Sequence, residues 1–312
     1  MKIEQEAPFA IQVEMTEGCN LFCRFCGIHG IRSSAGDYKF MSFEVAHNLA
    51  VQILRSGWKC RIEFAMHGEP TLNPKYNDII SIFRYHLPNH QLMMLTNGVG
   101  LFPMPKVKVN RLFYAGLNVL GIDAYNHNPY WKKIIRKVPG KFYPGEAKSP
   151  HARVRPGTRE VIYLQDITEA KSGGHSVLNN HCGCATPPLV ESMVSRCAKP
   201  FREMSIRWDG KIAICCNDWR GHYFCGDINL FSIEEIWNNK AFQIARKMLY
   251  NRDREFIPCK WCDAKSYRVG LLPDKMGKQE LPKATGKEKK WLSKHAKVDR
   301  TLAEVIKRKW EK

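Results

Sequence analysis

A chain of 312 residues with 44% hydrophobic side chains has apolar material for one large or two modest domains. No run of eighteen apolar residues occurs and the first residues form no apolar signal segment, which excludes a membrane-spanning helix and predicts a cytoplasmic protein. Twelve cysteines then imply a reducing compartment and metal ligation rather than disulfides, and a net charge of +19 brings nucleic acid among the partners to consider.

Phe9 to Met15 alternates apolar and polar residues, as a strand does, and leads directly into Glu17-Gly18-Cys19-Asn20-Leu21-Phe22-Cys23-Arg24-Phe25-Cys26. Three and then two residues separate successive thiols, so one short loop can turn three sulfurs toward a common centre. Thiolates are the usual ligands of iron–sulfur clusters, and a [4Fe–4S] cube takes four. Three leave one iron open for chemistry; a zinc knuckle with His29 as fourth ligand is the alternative. Ser42 opens an apolar-periodic helix that ends at Gly57. Arg61 to Met66 is a second strand running into His67-Gly68-Glu69-Pro70, and Gln91 to Leu95 a third, ending in Thr96-Asn97-Gly98. Leu117 to Asp123 is a fourth strand, closing on a carboxylate, and Val161 to Ile167 a later one. Repeated strand–helix units with polar residues at the strands' C-terminal ends predict a parallel α/β barrel with its site on that face.

Beyond the barrel, twelve residues separate Cys197 from Gly210, four more separate Gly210 from Cys215, and Cys259-Lys260-Trp261-Cys262 comes after a gap of 43 residues. Between them, Ile206 to Ile214 reads as a hairpin turning at Asp209-Gly210, and Ile233 to Trp237 as a short helix. Four such thiols suit an iron–sulfur cube, or a zinc ribbon. Cys216 competes with Cys215; Cys182, Cys184 and Cys225 are unassigned, Cys182 and Cys184 being placed for a ligand swap. Cys60 reads as a small buried hydrophobe. Gly277 to Lys290 reads as a linker poor in apolar residues, and Thr301 to Trp310 as a short helix.

The three-cysteine spacing, with an aromatic residue before the last thiol, resembles the cluster motif of the radical S-adenosylmethionine (radical SAM) superfamily. That resemblance implies a partial (β/α)6 barrel in which Cys19, Cys23 and Cys26 hold a [4Fe–4S] cluster. Its open iron would bind SAM, and reduction by a donor such as flavodoxin or ferredoxin would generate a 5′-deoxyadenosyl radical that removes a substrate hydrogen. His67-Gly68-Glu69-Pro70 is similar to the family's Gly-Gly-Glu-Pro, with histidine at the first position. By this resemblance Glu69 meets the SAM ammonium group, Gly68 lets backbone approach the cofactor, Phe25 lies against adenine, and Asn97 and Asp123 contact SAM. The second cysteine set resembles the SPASM extension, and more closely its shortened twitch form. It implies one auxiliary [4Fe–4S] cluster on Cys197, Cys215, Cys259 and Cys262. The expected division is a barrel over 1–190, a small α+β auxiliary domain over 191–270 and a basic extension over 271–312. No residue is assigned as hydrogen or proton donor.

Two segments concentrate the charge. Residues 271–312 carry 13 Lys/Arg against 6 Asp/Glu, and residues 132–160 carry 9 against 2. The second reads as a basic loop with Tyr130, Trp131, Phe142 and Tyr143 interleaved, so bases could stack while cations meet phosphates. The resulting expectation is a radical SAM enzyme modifying or isomerising a base in nucleic acid, DNA before RNA, or a nucleotide. The run Cys23 to Arg32 is similar to phage enzymes that hypermodify thymidine, isomerases among them. The alternatives are a peptide-modifying maturase or a dehydrogenase, and, more remotely, a non-catalytic zinc module that binds nucleic acid.

Overall fold

The structure is a computed structural model that describes residues 5–23, 26–28, 36–64, 66–124, 130–138, 141–144, 160–165, 179–185, 188–264 and 280–296. Phe25, His29, most of the basic stretch within 132–160 and the Thr301 to Trp310 segment lie outside the described residues. In chain order the strands are β1 (Ala10–Val13), β2 (Thr16–Glu17), β3 (Lys39–Phe40), β4 (Arg61–Phe64), β5 (Leu92–Thr96), β6 (Val119–Ala124), β7 (Lys141–Pro144), β8 (Glu160–Gln165), β9 (Glu203–Ile206), β10 (Lys211–Ala213) and β11 (Phe224–Asp227). The helices are α1 (Phe43–Ser56), α2 (Tyr76–His86), α3 (Lys106–Tyr114), α4 (Tyr130–Ile135), α5 (Lys199–Arg202), α6 (Ile233–Trp237), α7 (Lys240–Tyr250) and α8 (Gly286–His295).

Nine strands form one sheet in the order β11-β10-β9-β1-β4-β5-β6-β8-β7, and β2 and β3 pair separately. From β9 to β7 every neighbouring pair is parallel; β10 and β11 join antiparallel. The sheet is the parallel α/β layer expected from the strand–helix repeats. Part of the segment read as a basic loop, however, forms β7. It lies at the sheet's edge, where Pro144 with no N–H is tolerated.

α1 follows its sequence signals closely. Ser42 Oγ accepts from Val45 N–H at 3.2 Å, and Gly57 ends the helix at φ 67°, the left-handed conformation glycine adopts readily. Its apolar stripe, Ala46, Leu49, Ala50 and Ile53, packs with Tyr76, Ile79, Ile80 and Phe83 of α2 and with Ile11, Val13, Ile62 and Phe64 of the sheet. Each such buried Leu, Ile or Phe contributes about 2 kcal/mol. The pleat sends alternate residues to the opposite face, which is polar. There Gln12 stands in register between Glu63 and Ser205, and Ser205 Oγ donates to Gln12 Oε1 at 3.1 Å.

The auxiliary region grows out of the same sheet. β9 lies beside β1, and its hairpin to β10 turns at Asp209-Gly210, with Arg207 N–H donating to Lys211 C=O at 2.8 Å. Gln52 Nε2 reaches the Ile228 carbonyl at 2.8 Å, tying α1 to this region. The expected linker over Gly277 to Lys290 is corrected: its last residues start α8. Thr285 and Glu288 form a capping box, Lys247 pairs with Glu288 at 2.7 Å, and Leu292 joins the core. One buried leucine, a partly buried Trp291 and a capped first turn suffice where composition looked too polar.

Candidate active site and auxiliary cysteine cage

At the C-terminal ends of the parallel strands a cavity of about 250 Å3 gathers Cys19, Cys23, Cys26, Gly68, Glu69, Asn97 and Asp123, with Met66, His67, His181 and Trp219 on other walls. Residues from the ends of β1, β4, β5 and β6 therefore meet as the strand order requires. The cysteine loop is held from below: Glu69 N–H donates to the Gly18 carbonyl at 2.9 Å, and a Cβ at Gly68 would press on the Thr16 and Gly18 carbonyl oxygens.

Burial pushes the Cys19 thiol up, and it pushes Cys26 to about 12, with Cys19 and Cys23 adding like charge. Donors already point at Cys19 Sγ: Leu21 N–H at 3.4 Å and Asn97 Nδ2 at 3.6 Å. Three sheltered thiols on one cavity, one with amide donors, fit a metal cluster whose iron would compensate the charge they take on.

Glu69 is fully sheltered. Its Oε1 accepts from Thr71 N–H at 3.0 Å, Thr71 Oγ1 at 2.5 Å and Thr96 Oγ1 at 2.6 Å, and its Oε2 from Asn97 N–H at 2.8 Å. Burial raises its carboxyl pKa despite those donors, and among the described residues no lysine or arginine pairs with it. A buried carboxylate of this kind is a receptor for a cation, and the ammonium group of SAM fits that need.

His67, Trp219 and His181 complete the wall, and only His67 drew notice in the sequence. His67 Nδ1 lies 3.1 Å from Glu14 Oε1 and Nε2 2.7 Å from the Cys216 carbonyl oxygen. Each ring nitrogen is thus held by one hydrogen-bond partner, which fixes the plane of the imidazole. Its face stacks on Trp219 with centroids 4.2 Å apart. Trp219 Nε1–H donates to His181 Nδ1 at 2.9 Å, and burial, with His67 and Lys199 adding, holds His181 down to about 3, so it stays neutral.

Behind this wall is a cage of cysteines. The sulfurs of Cys182, Cys215, Cys259 and Cys262 lie within electrostatic reach of one another, and Cys197 adjoins Cys259. Burial and neighbouring thiols keep Cys215 and Cys259 well above the ordinary range. Cys262 packs against Cys182, and that contact holds its thiol below the ordinary range. The adjacent Cys216 points elsewhere: its sulfur is 3.3 Å from Lys199 Nζ, beside Glu203. Cys225 bonds the Tyr223 carbonyl at 3.9 Å, and Cys60 is a fully buried core residue. Cys184 packs against Gly27, next to Cys26, so the loop 180–184 touches both cysteine sets and the cavity.

Residues 13–143 match the Radical SAM superfamily and residues 197–263 the iron–sulfur cluster-binding SPASM domain. The chain therefore carries a radical SAM domain followed by an auxiliary iron–sulfur cluster-binding domain, and its cofactors are SAM, a [4Fe–4S] cluster and an auxiliary cluster. Among known proteins, the S-adenosyl-L-methionine-dependent 2-deoxy-scyllo-inosamine dehydrogenase of Niallia circulans is 24% identical over 258 residues, 81% of this chain and 92% of its own. Two crystal structures of BtrN, one with AdoMet and 2-DOIA and one in an open conformation, are each 20% identical, with TM-scores of 0.63 and 0.57. The first match covers 86% of this chain and 97% of BtrN, and the second 84% and 94%. The shared fold is that of a radical SAM enzyme. Among the described residues no helix is long and apolar enough to cross a membrane.

Proposed function

We propose that this radical SAM enzyme is a dehydrogenase that oxidises a small polar substrate, the net change being loss of one hydrogen atom, one proton and one electron. Cys19, Cys23 and Cys26 hold the catalytic cluster; Glu69 takes the SAM ammonium group, Gly68 and Asn97 line the cofactor, and Phe25 and Asp123 complete its contacts. Cys197, Cys215, Cys259 and Cys262 hold the auxiliary cluster. When bound, these groups supply hydrogen-atom abstraction on one side and an acceptor for the departing electron on the other, with flavodoxin or ferredoxin as the external reductant. The chain's own contribution is orientation and exclusion of water.

One observation carries this reading: two short segments, 181–182 and 217–219, each reach the cavity with one residue and the cysteine cage with another. His181 faces the cavity while Cys182 joins the cage, and Trp219 faces the cavity while Asn217 Nδ2 lies 4.0 Å from Cys262 Sγ. The relative in Niallia circulans is itself named a dehydrogenase. The test is anaerobic turnover of the reconstituted enzyme with 2-deoxy-scyllo-inosamine and related polyols deuterated at the carbinol carbon. Label should enter 5′-deoxyadenosine with one SAM consumed per ketone formed. Product formed with SAM regenerated, or undiminished after Cys262→Ala, would overturn the dehydrogenase reading.

The net charge of +19 favours a second reading, in which the substrate is a base within a nucleotide or nucleic acid, DNA before RNA. Phosphate binding of that kind weakens steeply with added salt. Affinity for DNA and RNA that is flat between 50 and roughly 200 mM salt removes it.

A further inference from the structure

Residues 97–138 carry seven Lys/Arg against a single acid, Asp123, which faces the cavity. The fold gathers these cations beside the site. Asn97 follows β5 in the cavity wall, its Nδ2 3.6 Å from Cys19 Sγ and 2.9 Å from Asn20 Oδ1, and the next residues lead into α3. α4 packs against the same stretch. A Cβ at Gly98 would stand 2.8 Å from Ile134 Cδ1, Asn110 Nδ2 donates to the Lys137 carbonyl at 2.8 Å, and Lys137 Nζ donates to the Phe102 and Met104 carbonyls at 2.6 and 2.8 Å. Lys106, Lys108, Arg111, Lys133 and Arg136 are exposed on these adjoining helices, and among the described residues none of them forms an ion pair. Val107, 65% exposed, stands among them. Lys106 and Lys108 occupy the first turn of α3, which holds no acidic side chain, so their charge opposes the helix dipole. The fold tolerates this concentration of charge and gains no stability from it.

We propose that the α3–α4 face is the docking surface for an acidic one-electron carrier protein, which is oxidised by one electron as it reduces the catalytic cluster. An apolar residue ringed by cations suits a protein partner steered by charge. Phe102 already engages Lys133 and Lys137, at 4.7 and 5.9 Å from its ring centroid, rather than offering an open platform for a nucleic-acid base. The two helices follow β5 and β6, which β1 and β4 separate from β9 in the sheet. The face therefore adjoins the N-terminal cysteines and not the auxiliary cage, so an electron would enter on one flank of the sheet and leave on the other. The proposal rests on the catalytic cluster being held by Cys19, Cys23 and Cys26 and reduced from outside.

The test compares the reconstituted enzyme with two double variants, Lys106→Glu with Lys108→Glu and Lys133→Glu with Arg136→Glu, using flavodoxin as the acidic carrier. Calorimetry should show flavodoxin affinity falling between roughly 50 and 200 mM salt. Each double reversal should weaken binding about tenfold or more and slow cluster reduction by reduced flavodoxin in proportion. Reduction by dithionite and SAM affinity should match the parent. The melting temperature of the α3 variant should hold or rise, because the dipole clash is removed, which separates lost docking from lost folding. Flavodoxin affinity and reduction rate unchanged in both double variants overturn the proposal. DNA or RNA binding abolished by the same reversals, with flavodoxin unaffected, overturns it in favour of nucleic acid. A parent enzyme that dithionite cannot reduce overturns the catalytic-cluster assignment and the proposal with it. No substrate enters these measurements, so their outcome is independent of the dehydrogenase reading.

Discussion

Gly68 and Glu69 sit side by side after β4 and limit the site in different ways. At Gly68 the constraint is space: φ is 70°, and a Cβ would collide with the Thr16 and Gly18 carbonyls that shape the cysteine loop. Gly68→Ala should cost about 2 kcal/mol or more, because backbone rather than a pliable side chain must move. Thermal melting would report that loss, and iron analysis should show the catalytic cluster failing before the auxiliary one. At Glu69 the constraint is charge. In the proposed role the ionised carboxylate receives the SAM ammonium group, and burial raises its pKa, so SAM affinity should climb with pH through that raised value and then level off. Without ligand the sign reverses: the fold holds the proton more tightly than the unfolded chain, so stability falls as pH rises from the ordinary carboxylate range toward the raised value. Calorimetric SAM titrations across pH check the first trend and melting curves the second, while Glu69→Gln should weaken SAM about tenfold or more and flatten both.

The loop 180–184 is the element that was hardest to read in the amino-acid order. Cys19, Cys23 and Cys26 are marked by their spacing, Glu69 by the resemblance of its tetrapeptide to the family motif, and Asn97 and Asp123 by standing at strand ends. His181 and Trp219 have no local period to mark them; they reach the cavity because β9 pairs with β1 and carries the auxiliary region over it. α8 carries a local signal of its own, Thr285 three residues before Glu288, which outweighs its sparse apolar content. Within the loop, Cys184 packs so closely on Gly27 that a Cβ there would stand 2.7 Å from Cys184 Cβ. Gly27→Ala should therefore push the loop off the N-terminal cysteines. The expected signature is a displaced His181 and Trp219, seen as altered tryptophan emission and weaker substrate binding, with both clusters still present. Emission and binding both unchanged would show that the loop does not need this contact.

At the scale of the whole molecule, the sheet runs without a break from the radical SAM region into the auxiliary region. β1 lies between β4 and β9, Glu14 N–H donates to the Ile206 carbonyl at 2.9 Å, and Trp208 N–H donates to Glu14 Oε2 at 3.3 Å. The N-terminal segment is fastened the same way, by Trp237 Nε1–H on the Glu6 carbonyl at 2.9 Å and by Gln5 N–H on Asn238 Oδ1 at 2.9 Å. Cutting the chain after residue 196 would expose one edge of β1, a strand whose four residues are all buried, and would leave Glu14 and His67 without their partners on Trp208 and Cys216. An apolar strand with an open edge invites pairing between chains. The truncated chain should therefore aggregate rather than behave as an independent barrel. The intact, metal-free chain should unfold in one transition, with circular dichroism and tryptophan fluorescence giving coincident midpoints. Two resolved transitions, or a monomeric 1–196 fragment that still binds SAM, would mean that β9 merely rests against β1 and that the auxiliary region folds on its own terms.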